Sequence, residues 1–204
     1  WVYWDEILVS WEGKKVAVLG SRAVGKTCLI KFLSEGTIPE SYVQTVASKK
    51  TKPRRFNLED LDLKIKESLD VSGSKDAYAL WKEIVSKADI VMYLMRADRL
   101  IAGDVDVEKR IKADLNHISE WMEERSPRPD LFLIGTHCDL DQEYNTLTED
   151  KVGDYQDRFS KLPIMRDLIC RCGGKELSKI ILGSLKTQDK TEKLVYYIFS
   201  QAKK

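Results

Sequence analysis

The sequence has few of the features that mark secreted, membrane-spanning or nucleic-acid-binding proteins. Only four of its 204 residues are cysteines, and Cys170-x-Cys172 has no second pair at the spacing of a zinc site. The longest apolar run, residues 90–95, is far shorter than the roughly 20 residues that cross a bilayer. A formal net charge of only +1 gives no sign of a nucleic-acid-binding protein. We therefore expect a cytoplasmic protein with no transmembrane helix in these residues and no nucleic-acid partner.

The composition that remains is that of an ordinary globular protein. Hydrophobic residues make up 43% of the chain and charged residues 33%, and this length suits one α/β domain with a sizeable core. We assign that domain to residues 14–204. Residues 1–13 form an unusually aromatic extension with Trp1, Trp4 and Trp11. We expect a docking segment or the junction to an upstream region. Because aromatic side chains favour the membrane–water boundary, membrane association through this part, at the cytosolic face, stays open.

Apolar runs alternate along the chain in a rhythm of strand and helix. The pattern predicts strands at 14–20, 90–94, 131–134 and 180–182, and helices at 27–33, at 77–87, around Val107, Ile111, Leu115, Ile118 and Met122, and around Leu194, Tyr197 and Ile198. Two polar-rich segments, 51–59 and 61–71, predict a hairpin at the sheet edge. The alternation predicts an α/β fold with a mostly parallel six-stranded sheet, one antiparallel edge strand, and helices on both faces.

A glycine-bearing segment lies between the first predicted strand and the first predicted helix. Residues 20–27 match the phosphate-loop pattern G-x-x-x-x-G-K-[ST]. Such a loop wraps a phosphate chain with its backbone, and the helix N-terminus attracts the negative charge. Lys26 would reach the β- and γ-phosphates, and Thr27 would bind Mg²⁺. The expected nucleotide contacts here are Gly20, Ser21, Arg22, Ala23, Val24, Gly25, Lys26, Thr27 and Cys28.

Later motifs favour a guanine nucleotide. Asp70-Val71-Ser72-Gly73 ends the alternating segment, where an aspartate can hold a Mg²⁺-bound water and a glycine N–H can meet the γ-phosphate. Thr136-His137-Cys138-Asp139 follows a predicted parallel strand, at the end where open α/β sheets bind ligands. The Asp139 carboxylate can accept two hydrogen bonds from guanine N1 and N2, which adenine cannot offer. Ser184-Leu185-Lys186 follows the final strand and would contact the base from its other side.

The order of these motifs resembles the small GTPases of the Ras superfamily and the related ADP-ribosylation-factor group. The match covers nearly the whole chain, from about Lys14 to Phe199. Residues 20–27 with 39–46 look like the Rho and Ras branches, whereas Asp70 to Gly73 followed by Trp81 looks like the ADP-ribosylation-factor branch. The resemblance implies an outlying P-loop G domain that binds GTP or GDP with Mg²⁺ and meets effector proteins through its switch regions.

The resemblance also implies roles for individual residues. Thr45 aligns with the switch I threonine that covers Mg²⁺, so the implied metal ligands are Thr27, Thr45 and Asp70. The implied catalytic residues are Lys26, Thr45, Gly73 and Ser74. The implied nucleotide-binding residues around the base are Thr136, His137, Asp139, Ser184, Leu185 and Lys186.

Three positions depart from the family pattern. Ser74 stands where a glutamine usually orients the attacking water, and its short side chain predicts slow hydrolysis. Arg22 replaces a glycine of the Ras loop. We expect it to point outward, and a cation leaning over the phosphates is the alternative. His137 replaces the lysine of N/T-K-x-D and can stack on the base. We expect it to be neutral rather than to titrate near neutral pH.

Three hypotheses follow from these residues. The first is a GTP-binding molecular switch with slow intrinsic hydrolysis, whose loops are ordered by the γ-phosphate and Mg²⁺. The second is a pseudo-GTPase interaction module that binds guanine nucleotide without cycling, motivated by Ser74 and Arg22. The third is a P-loop ATPase or small-molecule kinase, which requires Asp139 to be incidental.

A few conspicuous residues are assigned to packing or to solvent. We expect Trp81 and Trp121 to pack in the core, and His117 to be solvated on the polar side of its helix. Cys170 and Cys172 are expected in a flexible loop, without metal or redox chemistry.

Overall fold

The structure of the protein is a computed structural model, which describes residues 14–35, 75–148 and 151–201. The predicted hairpin at 51–71 lies outside the described residues. So does the extension 1–13, and its boundary with the domain stays a prediction.

The described strands form one parallel sheet. In chain order they are β1 (Val16–Gly20), β2 (Ile90–Arg96), β3 (Asp130–Thr136) and β4 (Ser178–Leu182). Their spatial order is β1-β2-β3-β4, and each neighbouring pair is parallel. The prediction of a parallel α/β sheet is therefore confirmed. The predicted antiparallel edge strand and the count of six strands depend on residues outside the described ones.

Helices connect these strands and cover the sheet. They are α1 (Lys26–Glu35), α2 (Lys75–Lys87), α3 (Ala97–Ile101), α4 (Val105–Glu123), α5 (Gln142–Thr146), α6 (Val152–Ser160), α7 (Pro163–Arg171) and α8 (Gln188–Gln201), and a 3-10 turn spans Cys138–Leu140. Local signals set their starts: the Asp104 carboxylate accepts from the Asp106 and Val107 amides at the N-terminus of α4. Pro163 is the first residue of α7. Proline is tolerated there because a backbone N–H at that position would have no partner within the helix.

Strand side chains alternate between two hydrophobic clusters, one on each face of the sheet. Leu19, Tyr93 and Leu133 belong to the cluster that includes residues of α2, α4, α6 and α7. Val18 and Met92 belong to the opposite cluster, with residues of α1 and α8. Because both faces are buried, the strands read as continuous apolar runs rather than alternating ones. The prediction of helices on both faces is confirmed.

Some of the assignments to packing and solvent hold and others are wrong. Trp81 and Trp121 are buried in the core, as predicted. His117 is not simply solvated, because its ring stacks on Trp121 at 5.6 Å and lies 4.6 Å from the Tyr78 ring. Nor does the Cys170–Cys172 segment form a flexible loop. Helix α7 runs through Arg171, Cys172 is buried directly after it, and both thiols are free.

Candidate nucleotide-binding site

The loop after β1 has a backbone that only particular residues tolerate. Gly20 has φ +137°, and a Cβ there would lie 2.3 Å from the Leu94 carbonyl oxygen. Gly25 has φ +92°, and a Cβ there would lie 2.6 Å from Leu185 Cδ1. Ala23 also has a positive φ, of 60°, which costs energy in a residue with a Cβ. The two glycines of the motif are therefore required by the close approach of β2 and of the segment after β4.

Lys26, the first residue of α1, folds back over the loop. Its Nζ donates to the Gly20 carbonyl at 2.8 Å and to the Ser21 carbonyl at 2.5 Å. The residue is only 5% exposed, and burial lowers the pKa of its ammonium to about 8. The loop thus holds a cation at the place where the motif predicts phosphate binding. The two carbonyl contacts are ones that phosphate oxygens could replace.

Thr136, at the end of β3, connects the loop to the sheet. It is completely buried, and its hydroxyl lies 3.0 Å from the Val24 carbonyl oxygen and 3.1 Å from the Met95 carbonyl oxygen. Either oxygen can accept the single hydroxyl proton. Since Thr136 has no exposed surface, its side chain holds the phosphate loop against the end of β3.

Asp139 and Ser184 come together although they are 45 residues apart in sequence. The Ser184 hydroxyl donates to Asp139 Oδ1 at 2.6 Å, and the Lys186 amide donates to the Ser184 oxygen at 3.1 Å. The Lys186 ammonium lies 3.7 Å from Asp139 Oδ2. Ser184 is 1% exposed, whereas the Asp139 side chain is 9% exposed. The carboxylate is therefore held in one orientation with part of its surface open.

The backbone around Asp139 is fixed as well. The Cys138 amide donates to the Gly183 carbonyl at 3.2 Å, which joins the two loops directly. The Asn145 side-chain amide donates to the Asp139 carbonyl at 2.6 Å, and the Lys190 ammonium donates to Asn145 Oδ1 at 3.3 Å. These contacts hold the 3-10 turn against the segment after β4.

His137 has a left-handed backbone, with φ 61° and ψ 24°. Its Nδ1 lies 2.9 Å from the Thr136 hydroxyl oxygen, and it carries the proton if that hydroxyl donates to a carbonyl. Burial and the nearby charge of Arg96 lower the pKa of His137 below its ordinary value. The lowered pKa favours the neutral ring at neutral pH, in agreement with the expectation that His137 is neutral.

An ion pair that the sequence did not single out lies beside His137. Arg96, the last residue of β2, pairs with Thr136 in the parallel register. Its guanidinium donates to both oxygens of Asp98, at 2.7 and 2.6 Å. Burial raises the pKa of Asp98, but the hydrogen bonds and charge of Arg96 outweigh it and leave that pKa below its ordinary value. The position of Arg96 at the carboxyl end of a predicted parallel strand could have indicated that it lies near the site.

The structure brings together the described residues that were predicted as site residues. Loop residues 20–28, the segment 136–139 and the segment 184–186 meet at the carboxyl edge of the sheet, with Leu185 packed against Gly25. Arg22 and Thr27 are exposed, while Val24 and Cys28 are buried. Four predicted site residues lie outside the described residues: Thr45, Asp70, Gly73 and Ser74.

Within residues 14–35, 75–148 and 151–201 there is no group of three or more His, Cys, Asp or Glu side chains that could hold a metal ion. The same residues contain no helix that is both long and apolar enough to cross a membrane.

The fold and the loop define an α/β protein of the phosphate-loop class. The model of the Ras family matches residues 15–165, and the chain belongs to that family. The Ras-related protein Rab-13 of cattle is 23% identical over 201 residues, which cover 86% of this chain and 91% of that protein. Rab-13 of the dog is 24% identical over 131 residues, 62% of this chain and 58% of the relative.

A third relative comes from an amoeba. The Ras-like GTP-binding protein RHO1 of Entamoeba histolytica is 26% identical over 103 residues, 50% of this chain and 46% of the relative. The chain thus spans about half the length of RHO1 and of dog Rab-13. Its predicted place in the Ras superfamily is confirmed, and membership supports a guanine-nucleotide-binding role in general.

Proposed function

We propose that the chain is a GTP-binding molecular switch with slow intrinsic GTP hydrolysis. The observation that carries the proposal is the Asp139 carboxylate, which is fixed by Ser184 at the same sheet edge as the phosphate loop. Guanine offers two adjacent donors, N1–H and the 2-amino group, to such a carboxylate. Adenine has an acceptor at N1 and no 2-amino group, so it would leave the carboxylate unpaired at a cost.

The phosphate half of the proposed site consists of Lys26 and the loop backbone. When a nucleotide binds, the Lys26 ammonium would exchange the Gly20 and Ser21 carbonyls for β- and γ-phosphate oxygens. It would not have to move far, because its Nζ already lies over the loop. The N-terminus of α1 adds a favourable field for negative charge.

Thr27 fits a magnesium ion on chemical grounds. Its hydroxyl is a hard oxygen donor of the kind Mg²⁺ prefers, and it is exposed at the start of α1, directly after Lys26. The other proposed ligands, Thr45 and Asp70, lie outside the described residues. When bound, Mg²⁺ supplies positive charge that offsets the charge developing on the phosphates.

The switch itself would depend on the γ-phosphate. We propose that Thr45 and Gly73 are drawn toward it in the GTP state and released after hydrolysis, which changes the surface offered to effector proteins. Ser74 is too short to orient the attacking water as a glutamine would. Single-turnover cleavage should therefore be no faster than the order of 10⁻⁴ s⁻¹ of unassisted Ras, and Ser74→Gln should raise the rate. A faster wild-type rate would contradict slow hydrolysis but not GTP binding.

Calorimetric titration with GDP, GTP and ATP tests the proposed base preference. We expect both guanine nucleotides to bind, and ATP to bind at least about a thousandfold more weakly, because a site built for hydrogen bonds rejects a ligand that lacks them. Equal affinity for ATP would contradict the proposal and favour a P-loop ATPase or kinase.

The pseudo-GTPase alternative is motivated by Ser74 and by Arg22, which is exposed on the phosphate loop. In that case the nucleotide stabilises the fold and partners bind regardless of its state. Capture of the same partner with equal affinity by the GDP-bound and GTP-analogue-bound chain would favour the interaction module. Capture by one state alone would favour the switch.

A further inference from the structure

Asp141 lies two residues after Asp139 and closes the 3-10 turn. Its backbone amide donates to the Cys138 carbonyl at 3.0 Å, so Asp139 stands inside a hydrogen-bonded turn. Its Oδ1 accepts from the Glu143 amide at 2.9 Å at the N-terminus of α5. Its Oδ2 accepts from the Tyr155 hydroxyl at 2.5 Å. Asp141 therefore connects the turn to both α5 and α6.

Tyr155 is itself held in place on α6. It is 4% exposed and belongs to the hydrophobic cluster on that face of the sheet. The side-chain amide of the next residue, Gln156, donates to the Ile180 carbonyl of β4 at 2.5 Å. The Arg158 guanidinium lies 5.8 Å from the centre of the Tyr155 ring and forms an ion pair with Glu143 of α5. Helix α6 thus presents the Tyr155 hydroxyl from a position that is fixed against the sheet and α5.

The Tyr155 hydroxyl makes a contact that packing alone does not require, because a phenylalanine could fill the same apolar surroundings. Burial and the hydrogen bond to Asp141 raise the pKa of Tyr155, so its hydroxyl remains a donor at neutral pH. A buried tyrosine hydroxyl needs a partner. Here the partner is a carboxylate, and a hydrogen bond to a carboxylate is stronger than one between neutral groups.

We propose that Tyr155 is a positioning residue for base recognition, which holds the turn around Asp139 in place through Asp141. The inference rests on the proposed function, in which the Asp139 carboxylate accepts from guanine N1 and from the 2-amino group. Ser184 fixes that carboxylate from the other side, so a shift of the turn changes its orientation toward the ring. A misaligned carboxylate keeps one hydrogen bond to the base more readily than both.

Inosine diphosphate provides the test, because it lacks only the 2-amino group of GDP. In calorimetric titrations the wild-type chain should prefer GDP at least about tenfold, the value of one hydrogen bond to a charged group. Tyr155→Phe should lower this preference at least about threefold, within the range for residues of one hydrogen-bond network. An unchanged preference in Tyr155→Phe would overturn the inference.

Tyr93→Phe is the matched control, measured at a temperature where all variants are folded. It also keeps a buried ring and removes a hydroxyl that donates to a carboxylate, that of the buried Asp114 in α4, at 2.8 Å. This control should keep the wild-type preference for GDP, and an equal fall in both variants would reduce Tyr155 to a stability effect and overturn its positioning role.

A double variant tests the path through Asp141. Asp141→Ala removes the acceptor of the Tyr155 hydroxyl, so it should lower the preference for GDP at least as much as Tyr155→Phe does. Adding Tyr155→Phe to Asp141→Ala should then cause no further fall. A further fall would mean that Tyr155 acts by another route and would overturn this path.

Hydrogen exchange in the ligand-free chain separates failure of this inference from failure of the proposed function. Tyr155→Phe should speed exchange of the Asp141 amide, which closes the turn, at least about threefold, whereas Tyr93→Phe should leave it unchanged. Unchanged exchange in Tyr155→Phe would overturn the inference even if GDP binds. Faster exchange in Tyr155→Phe together with a wild-type chain that does not prefer GDP would overturn the proposed function instead.

Discussion

Replacing Ser184 by alanine tests whether the orientation of Asp139 matters for nucleotide binding. The buried Ser184 hydroxyl donates to the carboxylate at 2.6 Å, and a hydrogen bond to a charged group contributes about 1.5–3 kcal/mol. The remaining cation, Lys186, lies 3.7 Å from the other oxygen on a side chain that is 63% exposed, so it contributes at most about 1 kcal/mol. Ser184→Ala should therefore weaken GDP binding at least about tenfold.

Ser178 provides a matched control at the other end of β4. It is also buried, and its hydroxyl donates to the Gly174 carbonyl at 2.8 Å. Both alanine variants should lower the thermal unfolding midpoint, because each removes a buried hydrogen bond. Only Ser184→Ala should lower GDP affinity, measured by calorimetry at a temperature where both variants are folded. Wild-type affinity in Ser184→Ala, or an equal loss in Ser178→Ala, would refute the reasoning.

Two further predictions concern the phosphate loop. Gly25→Ala should destabilise the chain by more than about 1 kcal/mol in urea unfolding, because its φ is positive and the new Cβ would meet Leu185. Gly153→Ala lies in helix α6 with open space around the new Cβ, so it should instead stabilise the chain by about 0.5–1 kcal/mol. Equal effects of the two variants would contradict the strain argument. Since the pKa of Lys26 is about 8 without ligand and bound phosphate favours the charged form, nucleotide affinity should fall as pH rises above about 8, with proton uptake on binding near that pH. In the unfolded chain the pKa of Lys26 is about 10.5, so the ligand-free folded chain should gain stability as pH rises from about 8 to about 10.5. Proton uptake on nucleotide binding is measured by calorimetry in two buffers. Proton release instead of uptake would contradict the predicted role of Lys26.

The strands and the loop were predictable because their signals are local. Strand β2 is buried along almost all its length, so it reads as an unbroken apolar run. The apolar run predicts a strand that ends at residue 94, but β2 extends to Arg96, whose charged side chain resembles the start of a polar loop. Residues 136–139 and 184–186 were both expected beside the base, because the ends of parallel strands share one edge, but the hydrogen bond from Ser184 to Asp139 was not predicted.

The charged contacts inside the fold could not be predicted in the same way. Asp114 stands on an amphipathic helix among Lys and Glu residues, where a solvated carboxylate is the ordinary expectation. Two of the donors that make its burial tolerable, Tyr78 and Tyr93, are 36 and 21 residues away in the chain. Their convergence depends on how α2 and α4 pack on the sheet. Likewise, Arg96 and Asp98 resemble solvent-exposed loop residues in the sequence, and only the pairing of β2 with β3 shows that they lie beside the site.

The most direct measurement compares the binding of GDP and xanthosine diphosphate by the wild-type chain and by Asp139→Asn. Xanthine has a carbonyl oxygen where guanine has its 2-amino group, so an amide side chain at position 139 can donate to it where a carboxylate cannot. The wild-type chain should bind GDP far more tightly than xanthosine diphosphate, and Asp139→Asn should reverse that order in the same titration. If Asp139→Asn kept the wild-type preference for GDP, the carboxylate would not contact the base, and the claim that this site recognises guanine would be contradicted.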